Sequence, residues 1–417
     1  MNRIPLFLKY ALSAVIGLCV MTGCVDEYEA ELPEGDSHLL VVSGTICSGR
    51  YSEFHLTWSV PLRQEADYNY YSSLYSSSSA YSEVQPVRDA RVAICGTDGS
   101  VYECPELTVS YDNHGYSYSF GTGVYGCDTP ELNPDVSYYV TIDYDGDTYR
   151  STPEKPIRTP DIESLEYFQK DSQSSVEVLL TTAEPDNPDQ TTYCTWTYGE
   201  TWEVRPLRQT VIYFDVSTMT RQYLTGDQQY PARGWKFGHE ESIISASTAN
   251  YADGRFNRYQ LLDIPRDDER VSWCYSNEVT QRAVSKTEYE YMKACLEAGW
   301  EMGGLFSPQP SALPTNIHCL TSSKRAIGYV GCSQNVATKR MYINASEISR
   351  DLPKPGPFVE FDCSERDCAV MVQQGWILYL WYDNRIGGGP LTTYWAYPAD
   401  FDVRLHGAVT YKPDYMP

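Results

Sequence analysis

Basic side chains are scarce in this sequence of 417 residues, which carries 32 lysines and arginines against 56 aspartates and glutamates, a formal net charge of −24. A protein that binds nucleic acid needs basic stripes that displace counterions from the phosphates. No such stripe of any length occurs in this sequence. We therefore expect no nucleic-acid partner, and the dispersed acid indicates solubility rather than a particular fold.

Signatures of catalysis and metal binding are also missing. The sequence has no G-x-S-x-G turn, no H-E-x-x-H motif, no glycine-rich phosphate loop and no C-x-x-C pair. Residues 238–241, GHEE, come nearest to a zinc motif but lack a second histidine. Asp143, Asp145 and Asp147 lack the glycine placement and closing glutamate of a calcium-binding loop. We expect no metal, no cofactor and no enzyme activity, although the carboxylates of a hydrolase can meet in the fold without any motif.

An uncharged apolar run, ALSAVIGLCVM at residues 11–21, follows the cations Arg3 and Lys9. This is the pattern of an export signal, and eleven residues are too few to cross a hydrocarbon core of roughly 30 Å. The next junction, MTGC, fits a bacterial lipobox. We predict that residues 1–23 are a lipoprotein signal peptide and that Cys24 is acylated. The alternative is an ordinary secretory peptide with a chance cysteine.

Acid follows Cys24 directly, with six carboxylates between Asp26 and Asp36. We interpret residues 24–37 as an acidic tether. Carboxylates so close to a lipidated cysteine resemble the surface-export signal of bacterial lipoproteins, which predicts an outer-membrane protein that is lipid-anchored and faces the cell surface. The alternative is a solvated tether with no sorting role.

Strand signals dominate the rest of the chain, and tyrosine, which suits strands and wet contact surfaces, outnumbers phenylalanine 36 to 11. Runs such as LLVVSGTI and EFHLTWSV predict strands, and Asp98-Gly99 and Asp145-Gly146 predict tight hairpins. We expect a mainly β protein in which residues 38–155 form an immunoglobulin-like β-sandwich.

A proline-rich boundary separates that sandwich from a second, larger β-rich domain, which we place at residues 162–417. This domain contains one clear helix, in SKTEYEYMKACLEAGW. Ser285 and Glu288 fit a capping box at its start, and Gly299 can end it.

Thirteen cysteines occur, of which Cys19 and Cys24 belong to the signal peptide and the anchor, so eleven remain. Export permits disulfides, and the odd number leaves at least one thiol without an intramolecular partner. Spacing alone does not give the connectivity. The candidate disulfides, chosen because their members are close in sequence, are Cys95 with Cys104, Cys319 with Cys332, and Cys363 with Cys368.

Residues 66–83, ADYNYYSSLYSSSSAYSE, interrupt the strand pattern with serine and tyrosine. They are either a solvated insertion without function or a contact loop, since serine and tyrosine adapt well to partners. The candidate contact residues are Tyr68, Tyr70, Tyr71, Tyr75 and Tyr81.

The order of these features resembles a family of Bacteroidota lipoproteins grouped as domain of unknown function 4249. The segments that carry the resemblance are LLVVSGTI, PVRDARVAI, PDVSYYVTIDYDGDTYRSTP, DNPDQTTYCTW, LFSPQPSALPTNI, AIGYVGCS, and EFDCSERDC followed by GGGP. Together they cover most of the chain after the signal peptide. None of them is a catalytic signature.

Members of this family are typically encoded beside TonB-dependent outer-membrane transporters. The resemblance therefore implies an accessory lipoprotein that captures a ligand, such as a peptide or a glycan, or docks on a TonB-dependent transporter. The alternatives are a surface hydrolase whose site is assembled from distant loops, and an adhesin or structural subunit. An aromatic-lined pocket would favour capture, whereas two carboxylates facing across a cleft would favour the hydrolase.

The lipobox gives a first testable prediction. Cys24→Ala should abolish palmitate labelling and release the protein from membranes, because each buried methylene of an acyl chain contributes roughly 0.8 kcal/mol to membrane binding. Cys19→Ala, inside the signal peptide, is the matched control and should still be labelled. If the Cys24→Ala protein still takes up palmitate and sediments with membranes, the lipobox interpretation is wrong.

Overall fold

This computed structural model describes residues 39–59, 85–113, 116–185, 187–239, 244–251, 253–300 and 314–417. The predicted signal peptide, the lipidated Cys24, the acidic tether and the tyrosine-rich contact loop lie outside these residues. Those four interpretations stay predictions.

In the described part of the chain, nine strands precede the proline-rich boundary. They are β1 (Leu40–Cys47), β2 (Tyr51–Trp58), β3 (Gln85–Pro86), β4 (Arg91–Gly96), β5 (Val101–Cys104), β6 (Glu106–Asn113), β7 (Tyr116–Asp128), β8 (Tyr138–Tyr144) and β9 (Asp147–Ser151). Asp98-Gly99 lies in the β4–β5 turn, as predicted. Asp145 and Gly146 form the predicted β8–β9 turn and both have positive φ, which a two-residue hairpin of this kind requires.

The second half of the chain is also rich in strands. It contains β10 (Ile162–Phe168), β11 (Val176–Thr182), β12 (Tyr193–Val204), β13 (Ile212–Asp215), β14 (Thr220–Tyr223), β15 (Gly234–His239), β16 (Ile244–Ser247), β17 (Tyr259–Ile264), β18 (Cys274–Val284), β19 (Ile317–Cys319), β20 (Ala326–Ser333), β21 (Ala337–Asn344), β22 (Val359–Asp362), β23 (Ile377–Asp383) and β24 (Leu391–Ala396). The mainly β class is confirmed.

Two helices accompany these strands in the described residues, α1 (Lys286–Trp300) and α2 (Glu365–Gln373). Helix α1 is the predicted one, and the Ser285 hydroxyl caps it by accepting from the Glu288 backbone N–H at 3.1 Å. Helix α2 was not predicted. Its capping box, Ser364 with Asp367, could have indicated it.

Two facing sheets enclose the first core. One has the strand order β20-β1-β2-β7-β6, with β3 against β2, and the other has the order β19-β9-β8-β4-β5. Strand β2 alternates buried and exposed residues, so Phe54 and Leu56 point into the core while Glu53 and His55 point outward. Val92, Ile94 and other buried residues of the second sheet pack against them. The finding is a β-sandwich, and its immunoglobulin-like character remains a prediction.

Two strands of the first sandwich, β19 and β20, come from the second half of the chain. Strand β20 runs parallel to β1 with Gly328 opposite Val42, and β19 pairs with β9. A boundary between residues 155 and 162 therefore does not separate the two halves completely. The sequence did not indicate this return, because a short strand carries no signal for a partner that lies far away in the chain.

Two larger cores and a small cluster of Val204, Val403 and Ala408 lie beyond the boundary in the residues that the structure describes. The sheets β15-β12-β18-β21 and β10-β11-β17 enclose a second core that includes Trp196, Phe256 and Val279. A smaller core lies between the β13–β14 hairpin, α2 and the sheet β22-β24-β23, and contains Phe214, Cys368 and Trp395.

Gly328 provides a test of the β1–β20 pairing. It has φ +118, and a Cβ at this position would lie 1.9 Å from the Val42 carbonyl oxygen. Gly328→Ala should therefore destabilise the protein by at least about 2 kcal/mol, measured as the free energy of unfolding in denaturant.

Gly387→Ala is the control, because a Cβ there meets no atom within 4 Å. It should change the free energy of unfolding by less than about 0.5 kcal/mol. Equal stability of the two variants would contradict the close pairing at Gly328.

Candidate functional site

A cleft of about 400 Å³ opens where the second sandwich meets residues 350–417, which we call the C-terminal segment. The residues on the sandwich side include Arg205, Glu269 and Trp273, and those on the other side include Leu352 and His406. The cleft combines apolar walls with a few charged groups, which is the usual composition of a small-molecule site.

Arg205 is held in the cleft by two contacts. Its guanidinium carbon lies 4.0 Å from the centre of the Trp273 ring, a cation–π distance. Its Nε donates to Glu203 Oε1 at 2.6 Å, and Glu203 is only 7% exposed. The side chain of Arg205 is still 35% exposed. The result is a fixed cation on an aromatic face at the cleft wall.

The opposite charge in the cleft comes from the turn before β18. Glu269 Oε2 accepts from Lys236 Nζ at 2.7 Å and from the Trp202 indole N–H at 3.4 Å. The turn itself is anchored by Arg270, which donates to Asp268 and, at 2.8 Å, to buried Glu200. Burial alone would raise the pKa of Asp268, but the hydrogen bonds from Arg270 outweigh it and lower that pKa. These contacts fix the carboxylates of Asp268 and Glu269.

Ser272 adds an unsatisfied group to the same wall. The residue is 1% exposed, and its hydroxyl has no hydrogen-bond partner among the described residues. Its backbone carbonyl accepts from Arg350 Nε at 2.8 Å. Buried hydroxyls normally have a partner, so this one is a potential contact for a bound polar group.

A buried ion pair joins the two sides of the cleft, between residues that adjoin its lining residues Leu207 and Ala399. Arg208 Nε donates to Asp400 Oδ2 at 3.0 Å, and the two side chains are 10% and 9% exposed. The Arg208 backbone N–H donates to the Asp400 carbonyl, and its Nη2 donates to the Gly356 carbonyl at 2.7 Å. The charges are therefore paired and hydrogen-bonded, as burial requires.

A second cluster of charges lies where the two sandwiches join. Glu288 is 3% exposed and receives two hydrogen bonds from Arg282, at 2.6 and 3.1 Å. Glu154 accepts from the Tyr329 hydroxyl, while its other oxygen is buried without a partner in the described structure. Burial, followed by the nearby charge of Glu288, raises the pKa of Glu154.

These two glutamates do not form a hydrolytic pair. Such a pair needs both carboxylates open to a substrate and a water. Glu288 is closed off and neutralised by Arg282. We interpret the cluster as a structural joint.

The structure brings together one of the three cysteine pairs chosen by sequence spacing. Cys363 and Cys368 have their sulfurs 3.2 Å apart. Cys95 lies opposite Val101 whereas Cys104 lies opposite Val92, so these two are offset by three residues along neighbouring strands. The sulfur of Cys104 instead lies 3.1 Å from that of Cys127.

Cys319 and Cys332 lie on strands of different sheets, β19 and β20, and their side chains have other neighbours. The Cys319 sulfur is 3.2 Å from the Ser322 hydroxyl, and Cys332 is buried beside β1. All eleven cysteines of the described residues are thiols in this structure.

No group of three or more histidine, cysteine, aspartate or glutamate side chains in the described ranges is arranged to hold a metal ion. Within the same ranges, no helix has the length and apolar character needed to span a bilayer.

The sequence matches the family model described as Domain of unknown function (DUF4249) over residues 25–340. The chain belongs to this family. No curated protein matches it. The match to DUF4249 ends within β21, so Arg205 and Trp273 lie inside the matched range while Leu352 and His406 lie beyond it.

Sequence reasoning missed the cleft entirely. Its lining residues come from segments that are far apart in the chain, and none of these segments carries a motif. The only local hint is the density of charged residues around Trp273, in RDDERVSW.

The joint predicts a dependence of stability on pH. The pKa of Glu154 in the folded protein is raised above its unfolded value, which is near 4.5. The stability that protonated Glu154 contributes is therefore fully present below the unfolded pKa, and it is lost as the pH rises through the folded pKa. Glu154→Gln keeps the neutral shape and should abolish this loss. The free energy of unfolding should be measured from about pH 4 to about pH 8.

Glu131→Gln changes an exposed glutamate of the first sandwich in the same way and serves as the control. Its pH profile should follow that of the unmodified protein. If Glu154→Gln leaves the profile unchanged too, Glu154 is not the group that titrates.

Proposed function

We propose that this protein is a surface-exposed outer-membrane lipoprotein that captures a ligand in the cleft beside Trp273 and serves a TonB-dependent transporter. The observation that carries the proposal is the cleft itself. Its volume of about 400 Å³ falls in the range of small-molecule sites. The role beside a transporter rests on the family to which the chain belongs.

The fixed groups in the cleft favour binding. Arg205 is ordered by Glu203 and by the Trp273 ring before any ligand arrives, so a ligand would not bear the entropic cost of ordering it. Glu269 supplies an acceptor of opposite charge. A short peptide or a glycan carries both polar groups and apolar faces, which this mixture can contact together.

The hydrolase alternative receives no support from the carboxylates of the cleft. Asp267 and Glu269 come from one turn rather than from facing walls, and Glu269 is bound to Lys236. General acid and base roles in glycoside hydrolysis require two carboxyl groups on opposite sides of the scissile bond.

The lipid anchor explains how a modest interface would suffice for a complex. An acylated protein is confined to the plane of the membrane, which raises its effective concentration near a membrane partner. Because the net charge of the protein is −24, a small basic patch on the transporter would be enough for electrostatic attraction.

Affinity purification tests the proposal. A tag after Pro417 should recover a TonB-dependent transporter in near-stoichiometric amount from mildly solubilised outer membranes. The recovered protein should bind a member of a peptide or glycan library. Trp273→Ala should weaken that binding by at least about tenfold, equivalent to about 1.4 kcal/mol, and leave the transporter bound.

Tyr223→Ala is the matched aromatic control, because Tyr223 is 60% exposed and does not line the cleft. Tyr223→Ala should leave both the ligand binding and the recovery of the transporter unchanged. Recovery of the lipoprotein alone, together with turnover of a peptide or glycan by the purified protein, would overturn the proposal and favour the hydrolase.

A further inference from the structure

The sulfurs of Cys104 and Cys127 meet between the two sheets of the first sandwich. Cys104 is the last residue of β5, at the edge of one sheet, and Cys127 lies in β7 of the other. Their Sγ atoms are 3.1 Å apart. A bond between them would therefore join the sheets covalently rather than two neighbouring strands.

The backbone holds this juxtaposition in place. The chain passes from one sheet to the other through Pro105, and the Gly126 N–H donates to the Pro105 carbonyl at 3.1 Å. Glu106 pairs with Tyr125 in the register of β6 and β7. These two contacts flank the cysteines and hold their backbones beside one another, so a bond between the two sulfurs needs no large movement of the chain.

We propose that Cys104 and Cys127 form a disulfide in the mature protein, which locks the corner between β5 and β7. The oxidation rests on the proposed export to an oxidising compartment, where disulfides persist. The pairing itself rests only on the geometry.

The burial of the two thiols sets the order of the reaction. Cys104 is 2% exposed, and burial together with the neighbouring Cys127 raises the pKa of its thiol, whereas Cys127 is half-buried. The thiolate is the nucleophile in disulfide exchange. Cys127 therefore attacks the disulfide of a thiol–disulfide oxidoreductase and displaces one of its two thiolates.

The second step closes the bond. The sulfur of Cys104 loses its proton and attacks Sγ of Cys127 in the mixed disulfide, and the second oxidoreductase thiolate leaves. The protein loses two electrons and two protons, and the oxidoreductase gains them as its reduced dithiol.

Peptide mapping without reduction tests the bond. The full chain should be isolated from its native envelope in the presence of an alkylating agent. We expect a linked peptide that contains Cys104 and Cys127, and alkylated Cys95. Cys95→Ser is the control and should leave this linked peptide unchanged. Linkage of Cys104 to Cys95, or alkylation of both Cys104 and Cys127, would overturn the proposal for the cell.

A second arm separates the pairing from the compartment. The purified reduced protein should form the same linked peptide with oxidised glutathione, and the reaction should be lost in Cys127→Ser. Linkage with glutathione but not in the envelope would overturn the oxidation and count against export, while the pairing would stand. Absence of linkage under both conditions would overturn the pairing, whatever the function of the protein.

Discussion

The parallel pairing of β20 with β1 ties the two halves of the chain together. Eight residues of each strand are in register, and Gly328 permits an approach to Val42 that no side chain would allow. After Ser333 the chain reaches β21 of the second sandwich within a few residues. The segment at the boundary contacts the end of β20, since Ile157 forms a parallel β-bridge with Ser333. The first core therefore includes a strand from the second half of the chain, and only the residues between Ser333 and Ala337 separate that strand from the second sandwich.

This sharing creates the buried polar joint. Where β18 passes into α1 and β20 lies beside them, Glu288 and Arg282 are removed from water and must pair with one another. A buried ion pair contributes little net stability, but breaking it by removing one partner is costly. Glu154 has no cation paired with it in the described part of the chain, so burial raises its pKa although the hydrogen bond from the Tyr329 hydroxyl acts in the opposite direction. The joint is thus specific in its geometry and sensitive to charge.

Local signals were predictable and long-range pairings were not. The Asp145-Gly146 turn and the cap at Ser285 follow from conformational preferences that act within a few residues. The return of β19 and β20 depends on which sheet edges lie exposed after folding, and no window of sequence contains that information. Cysteine spacing identified the contact of Cys363 with Cys368. It failed for Cys104 for the same reason, since Cys104 meets Cys127 across two sheets while Cys95, nearer in sequence, is out of register.

The residues that line the cleft lie on both sides of the position where the family match ends. Trp273 and Arg205 belong to the part of the chain shared with DUF4249, whereas His406 and Leu352 belong to residues beyond it. The buried pair of Arg208 with Asp400 is one of several contacts between these two parts, together with the β-bridge of Trp235 with Val409 and the hydrogen bond from Arg350 to Ser272. Removing either Arg208 or Asp400 would leave the other charge buried and unpaired, which is costly, so this pair favours the observed position of the C-terminal segment. Residues inside the family match therefore line one wall of the cleft, and residues beyond the match line the other.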